Sequence, residues 1–138
     1  MPMANFSTER KPEAFDWVTE RSKCTAGKFF EKLKMQITQD VEVRNALLPH
    51  GTHYAFSFVP SSGAGFFTVL VEGHLIHDSV AFNLNGEKIA VASKNGVLFE
   101  ATVTLCDEGD CRAKIGNQVF DSWQLRKMAL EELFFRSY

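Results

Sequence analysis

The chain has 138 residues, 45% of them hydrophobic and 23% charged, with a net charge of −2 and 13 phenylalanines. These are values of one ordinary globular domain, able to bury about two thirds of its unfolded surface without help from a disulfide or metal. Acidic and basic residues are interspersed, so no basic stripe offers a footprint for a phosphate backbone, and nucleic acid is excluded as a partner. No run of about 18 apolar residues is present to span a bilayer, and the first residues lack the apolar stretch of a signal peptide, which points away from membranes and toward a soluble, cytoplasmic protein. Three cysteines, an odd number, fit a reducing compartment better than a disulfide framework.

A single α+β domain is expected over residues 1–138, with residues 1–11 a poorly ordered N-terminal segment. Pro12, Glu13, Ala14, Phe15, Trp17 and Val18 predict a short helix ending near Ser22, with proline at a tolerated early position. A longer helix starts at Thr25 as N-cap, because Ala26, Phe30, Leu33, Ile37 and Val41 recur at spacings of three and four and make one stripe, widened by Phe29. Pro49 and Gly51 stop it, since Pro49 disfavours helical geometry at Leu48 and has no amide hydrogen for a further turn.

From Thr52 the period becomes two. Tyr54, Phe56 and Phe58 share a face, which Phe67, Val69 and Val71 continue after a turn at residues 61–65. A two-residue turn at Gly73 and His74 would set Ile76 opposite Val71. A second at Asn85 and Gly86, the strongest hairpin signal in the chain, would set Leu84 opposite Glu87. At the next connection a two-residue turn would send Phe99, Ala101 and Val103 to water, because a one-residue slip inverts every side chain. A three-residue loop over residues 94–96, with Gly96 left-handed, instead sets Phe99 opposite Val91. By the same parity a five-residue loop over residues 106–110 aims Cys111, Ala113 and Ile115 inward. Cys106 then lies in the loop, and all the cysteines are expected to be free thiols.

Asp121 with Gln124 forms a capping box, and Phe120 with Leu125 a hydrophobic staple, at the start of a closing helix. Its stripe of Leu125, Met128, Ala129 and Leu133, widened by Trp123, Leu130 and Phe134, predicts substantial burial. The whole reads as a six-stranded antiparallel meander sheet, strongly curved if the strands require it. N-terminal helices and one C-terminal helix pack on one face. The opposite face, including Ala55, Ser57, Thr68, Ala81, Ala92 and Thr102, is small, weakly polar and poor in charge, which suits an interface with a second copy or another protein.

Candidate chemistry is sparse. His50 with His53 and His74 with His77 form two His-x-x-His pairs at one end of the sheet, where Glu72 or Asp78 would complete a site for zinc or a similar divalent ion. In extended chain, however, that spacing does not put both rings on one side. Asp78 falls at a position otherwise reserved for core, where burial would raise its pKa and suit it to act as an acid or base; fraying of the strand start or a hydrogen bond to backbone is the simpler expectation. Trp17, Phe30, Tyr54, Phe56, Phe82, Phe99 and Trp123 are the candidate lining of an apolar ligand cavity between helices and sheet, although plain core explains the same periodicity. No segment carries an organic-cofactor motif. The leading expectation is therefore a small non-enzymatic binding domain, acting on itself, on another protein or on an apolar small molecule. A metal-dependent or acid/base enzyme at the histidine end is the alternative.

Overall fold

A computed structural model describes residues 12–138, and the expectation for residues 1–11 lies outside the described residues. Two helices, α1 (Trp17–Lys23) and α2 (Ala26–Ala46), precede the strands. These are β1 (Tyr54–Pro60), β2 (Phe66–Gly73), β3 (Ile76–Asn85), β4 (Lys88–Ser93), β5 (Gly96–Leu105), β6 (Cys111–Ile115) and β7 (Gln118–Phe120), and α3 (Ser122–Phe135) follows. The strands form one antiparallel sheet in sequence order. The described sheet has seven strands against the six expected, because β7 is three residues long, too short for an alternation to register.

α2 obeys its sequence closely. The Thr25 hydroxyl accepts the Lys28 amide at 3.2 Å, and the buried residues are Ala26, Phe29, Phe30, Leu33, Ile37 and Val41, the whole expected stripe. The first helix is shorter than expected: Asp16 accepts the Thr19 amide at 3.1 Å, so the helix begins at Trp17 and leaves Pro12 outside. None of its residues is buried.

Two hairpins differ in register from expectation and keep the expected faces. Val71 pairs with Asp78, and Leu84 pairs with Ile89, each two residues from the predicted partner. A two-residue slip preserves side-chain direction. The first turn is at His74 and Leu75, with Leu75 at φ 61°, and Gly86, at φ 64°, leads the second. Beyond β4, Val91 faces Phe99 as expected, but Ser93 pairs with Gly96, and a register shift between Val91 and Ala92 absorbs the additional residue. The five-residue loop also stands, with Leu105 opposite Cys111 and Ala113 fully buried.

The heavy face packs beneath α2 and α3. Phe67 lies at its centre, stacked on Phe82 at 4.7 Å between ring centroids, with Phe58 at 5.0 Å and Phe30 at 5.2 Å. In α3, Leu125, Ala129, Leu130, Leu133 and Phe134 are buried, while Trp123 and Met128 face outward because one side of the helix suffices to meet the sheet. Gln124 Oε1 accepts the Asp121 amide at 2.8 Å, completing the expected cap.

The expectation of free thiols fails at two of the three cysteines. Aimed at the helical side by the loop parity, Cys111 meets Cys24 at the junction of α1 and α2, and the two form a disulfide with Cα atoms 5.4 Å apart across 87 residues of sequence. Cys106 remains a thiol. A second long-range device covers the outer edge of β1 at Phe56: the Asn45 side-chain amide donates to the Phe56 carbonyl oxygen at 2.8 Å and accepts the Phe56 amide at 2.9 Å. At that residue the helix supplies the pairing a further strand would have offered.

Candidate binding surfaces

The histidines stand at one end of the sheet but do not converge. His50 is exposed in the turn after α2, His53 precedes β1, and His74 lies at the tip of the β2 to β3 turn. His77 on β3 faces Glu72 on β2 with Nδ1 and Oε2 3.8 Å apart, both side chains well exposed. Among the described residues no group of three or more His, Cys, Asp or Glu side chains is placed to hold a metal ion. Asp78 is apart from them, 6% exposed on the heavy face. Its Oδ1 accepts the Ser79 amide at 2.8 Å, the backbone bond expected for it, and its Oδ2 accepts from Arg136 Nη1 at 2.5 Å. Lys94 approaches at 3.9 Å. Burying a carboxylate is tolerable only with such partners, so this cluster pins the end of α3 to β3.

Two of the acidic residues between Cys106 and Cys111, Glu108 and Asp110, are likewise structural. Arg112 on β6 pairs with Asp110 at 3.2 Å and Glu108 at 3.8 Å, and reaches Asp121 at the start of α3 at 3.1 Å. Burial raises the pKa of the Cys106 thiol above its ordinary value, which leaves it a weak nucleophile at neutral pH.

The residues proposed to line an internal cavity separate into core and surface. Phe30, Phe56 and Phe82 are buried, and Tyr54 and Phe99 pack half-buried against them. Phe56 meets Phe134 at 5.1 Å, and Tyr54 meets Tyr138 at 5.2 Å. Ring-on-ring packing fills that space. Trp17 and Trp123, 62% and 56% exposed, are outside it, because α1 buries nothing and Trp123 points away from the sheet.

Two surfaces are available for binding. One is the sheet face opposite the helices, where the register aligns Ser57, Leu70 and Ser79 across β1 to β3, and Val59, Thr68, Ala81 and Ala92 across β1 to β4. Phe66 and Val59 on this face are 41% and 43% exposed, so its composition is as the alternation implied. The second is a groove of about 430 Å³ between α2 and α3, bordered by Val43 and Leu47 from one helix and Trp123 and Phe135 from the other. Sequence reasoning missed it. The available signal was that Val43 and Leu47 are apolar yet out of phase with the buried stripe of α2, while Trp123 broadens the stripe of α3.

Among the described residues no helix is long and apolar enough to cross a membrane. No protein-family model, curated protein or solved structure matches this chain.

Proposed function

We propose that this chain is a small non-enzymatic binding domain that associates with a second copy of itself through the uncovered sheet face. The observation that carries this reading is a sheet face of small, weakly polar side chains with Phe66, Val59 and Leu70 among them, left without cover by the described helices. Charge on this face lies at its margins, at Glu72, Lys88, Glu100 and Lys114, and the centre over β1 to β4 lacks the Lys and Glu that a solvated surface would ordinarily bear.

Short side chains at Ser57, Ala81 and Ala92 let two sheets approach to the roughly 10 Å separation of a sandwich. Pairing through the sheet edges is disfavoured, since Asn45 interrupts the outer edge of β1 at Phe56 and β7 has only three residues.

The cytoplasmic location expected from the sequence would keep Cys24 and Cys111 reduced. Their bridge favours an oxidising compartment instead.

Light scattering and sedimentation between about 1 and 100 µM test the reading, a range set to bracket a micromolar dissociation constant. The expected result is a concentration-dependent dimer, converted to a monomer of unchanged circular dichroism by Ala81→Glu. A strict monomer throughout, or a dimer indifferent to Ala81→Glu, defeats it.

A further inference from the structure

The groove between α2 and α3 has an unbalanced charge. Of its lining side chains, Arg126 is committed to Asp40 through contacts of 2.8 and 2.7 Å, and Lys127 faces Glu131 at 3.7 Å. Arg44 alone among the lining cations has no carboxylate partner among the described residues. Its Nε donates to the Phe134 carbonyl oxygen at 2.7 Å, and its guanidinium carbon lies 4.6 Å from the Phe135 ring centroid and 5.3 Å from that of Phe56. Aromatic faces hold a guanidinium in place without neutralising it. Both Nη groups make no hydrogen bond among the described residues. The groove therefore joins an apolar trough to one oriented, uncompensated cation with paired donors to spare.

We propose that this groove binds an amphipathic monocarboxylate, such as a medium-chain fatty acid. The hydrocarbon would lie along Val43, Leu47, Trp123 and Phe135, and the carboxylate would meet the Nη groups of Arg44 in the two-point geometry that guanidinium favours. The volume of about 430 Å³ falls in the range of roughly 300–1,000 Å³ usual for small-molecule sites. Charge selects the head group: a single negative charge balances Arg44, whereas a phosphate dianion would leave an excess of negative charge beside Glu131. This site is independent of the sheet face, and either assignment can fail alone.

The test uses a Trp17→Phe protein, in which Trp123 is the remaining tryptophan, titrated with decanoate, decanol and decyl phosphate while Trp123 emission is followed. Decanoate should shift the emission saturably and bind at least tenfold more tightly than decanol or decyl phosphate. Arg44→Gln should weaken decanoate at least tenfold without affecting decanol, and Arg44→Lys should recover part of the loss. Because Arg44 also holds a backbone carbonyl, Leu47→Asp on the exposed rim provides a second variant, expected to repel decanoate and leave the melting temperature unchanged. Equal affinity for decanoate and decanol, tighter binding of decyl phosphate, or indifference to both Arg44→Gln and Leu47→Asp overturns the proposal. So does a Trp123 shift produced by raising protein concentration alone, which would assign the groove to a second copy.

Discussion

Reducing the Cys24 to Cys111 bridge should lower stability substantially. The bridge joins residues 87 apart, and closing a loop of that length in the unfolded chain removes roughly 15 cal/mol/K of entropy, or about 4–5 kcal/mol at 25 °C. Unfolding 138 residues at about 2.1 cal/mol/K each gives an entropy near 290 cal/mol/K, so the melting midpoint should fall by about 15 °C. The clean assay is circular dichroism melting of a Cys106→Ser protein, oxidised and then reduced, which leaves a single pair of cysteines to report. Peptide mapping without reductant should recover the segments containing Cys24 and Cys111 joined. Three free thiols in the native protein, or coincident melting curves in the two redox states, refute the reasoning.

Other expectations follow from packing and titration. Phe67→Ala removes a fully buried ring in contact with three others and should cost about 3–5 kcal/mol in urea unfolding; a loss below about 1 kcal/mol contradicts the core described above. Gly73→Ala would put a methyl group 2.4 Å from the His53 carbonyl oxygen and 2.8 Å from Tyr54 Cβ. It should destabilise by about 1–3 kcal/mol, and a neutral effect in the same assay would contradict the close approach of β1 and β2. Burial raises the pKa of Tyr138 above its ordinary value of 10.0. The folded state therefore holds that proton longer than the unfolded one, so stability is intact below pH 10 and falls as pH rises through the folded value. Chemical unfolding from pH 9 to 11 should show this decline, and Tyr138→Phe should abolish its Tyr138-dependent part.

The faces of the sheet were legible because alternation is insensitive to even slips. Val71 meets Asp78 in place of Ile76, and Leu84 meets Ile89 in place of Glu87, yet Phe82 and Val91 remain in the core. Register itself was not legible there, since moving a turn by one residue shifts the pairing by two, so both candidate turns satisfy the same pattern and the backbone decides between them. The buried stripe of α2 was fully readable from its spacing. The disulfide was not, because Cys24 and Cys111 are brought together by the path of the whole meander and carry no local signature. The candidate metal site failed to assemble for a related reason: proximity at one end of a sheet does not make side chains converge. Arg44 was invisible as a candidate, because its meaning depends on which carboxylates its neighbours Arg126 and Lys127 have already taken.

The contact between Asn45 and Phe56 bears on the fate of the protein at high concentration. An open sheet margin is a template on which foreign chains can zip up, and here a single amide occupies both positions a newcomer would need at Phe56. Interruption of a growing ladder at that point of the margin is thus vested in a residue of the preceding helix. Loosening the C-terminal turn of α2 would unmask the margin while most of the interior stayed intact.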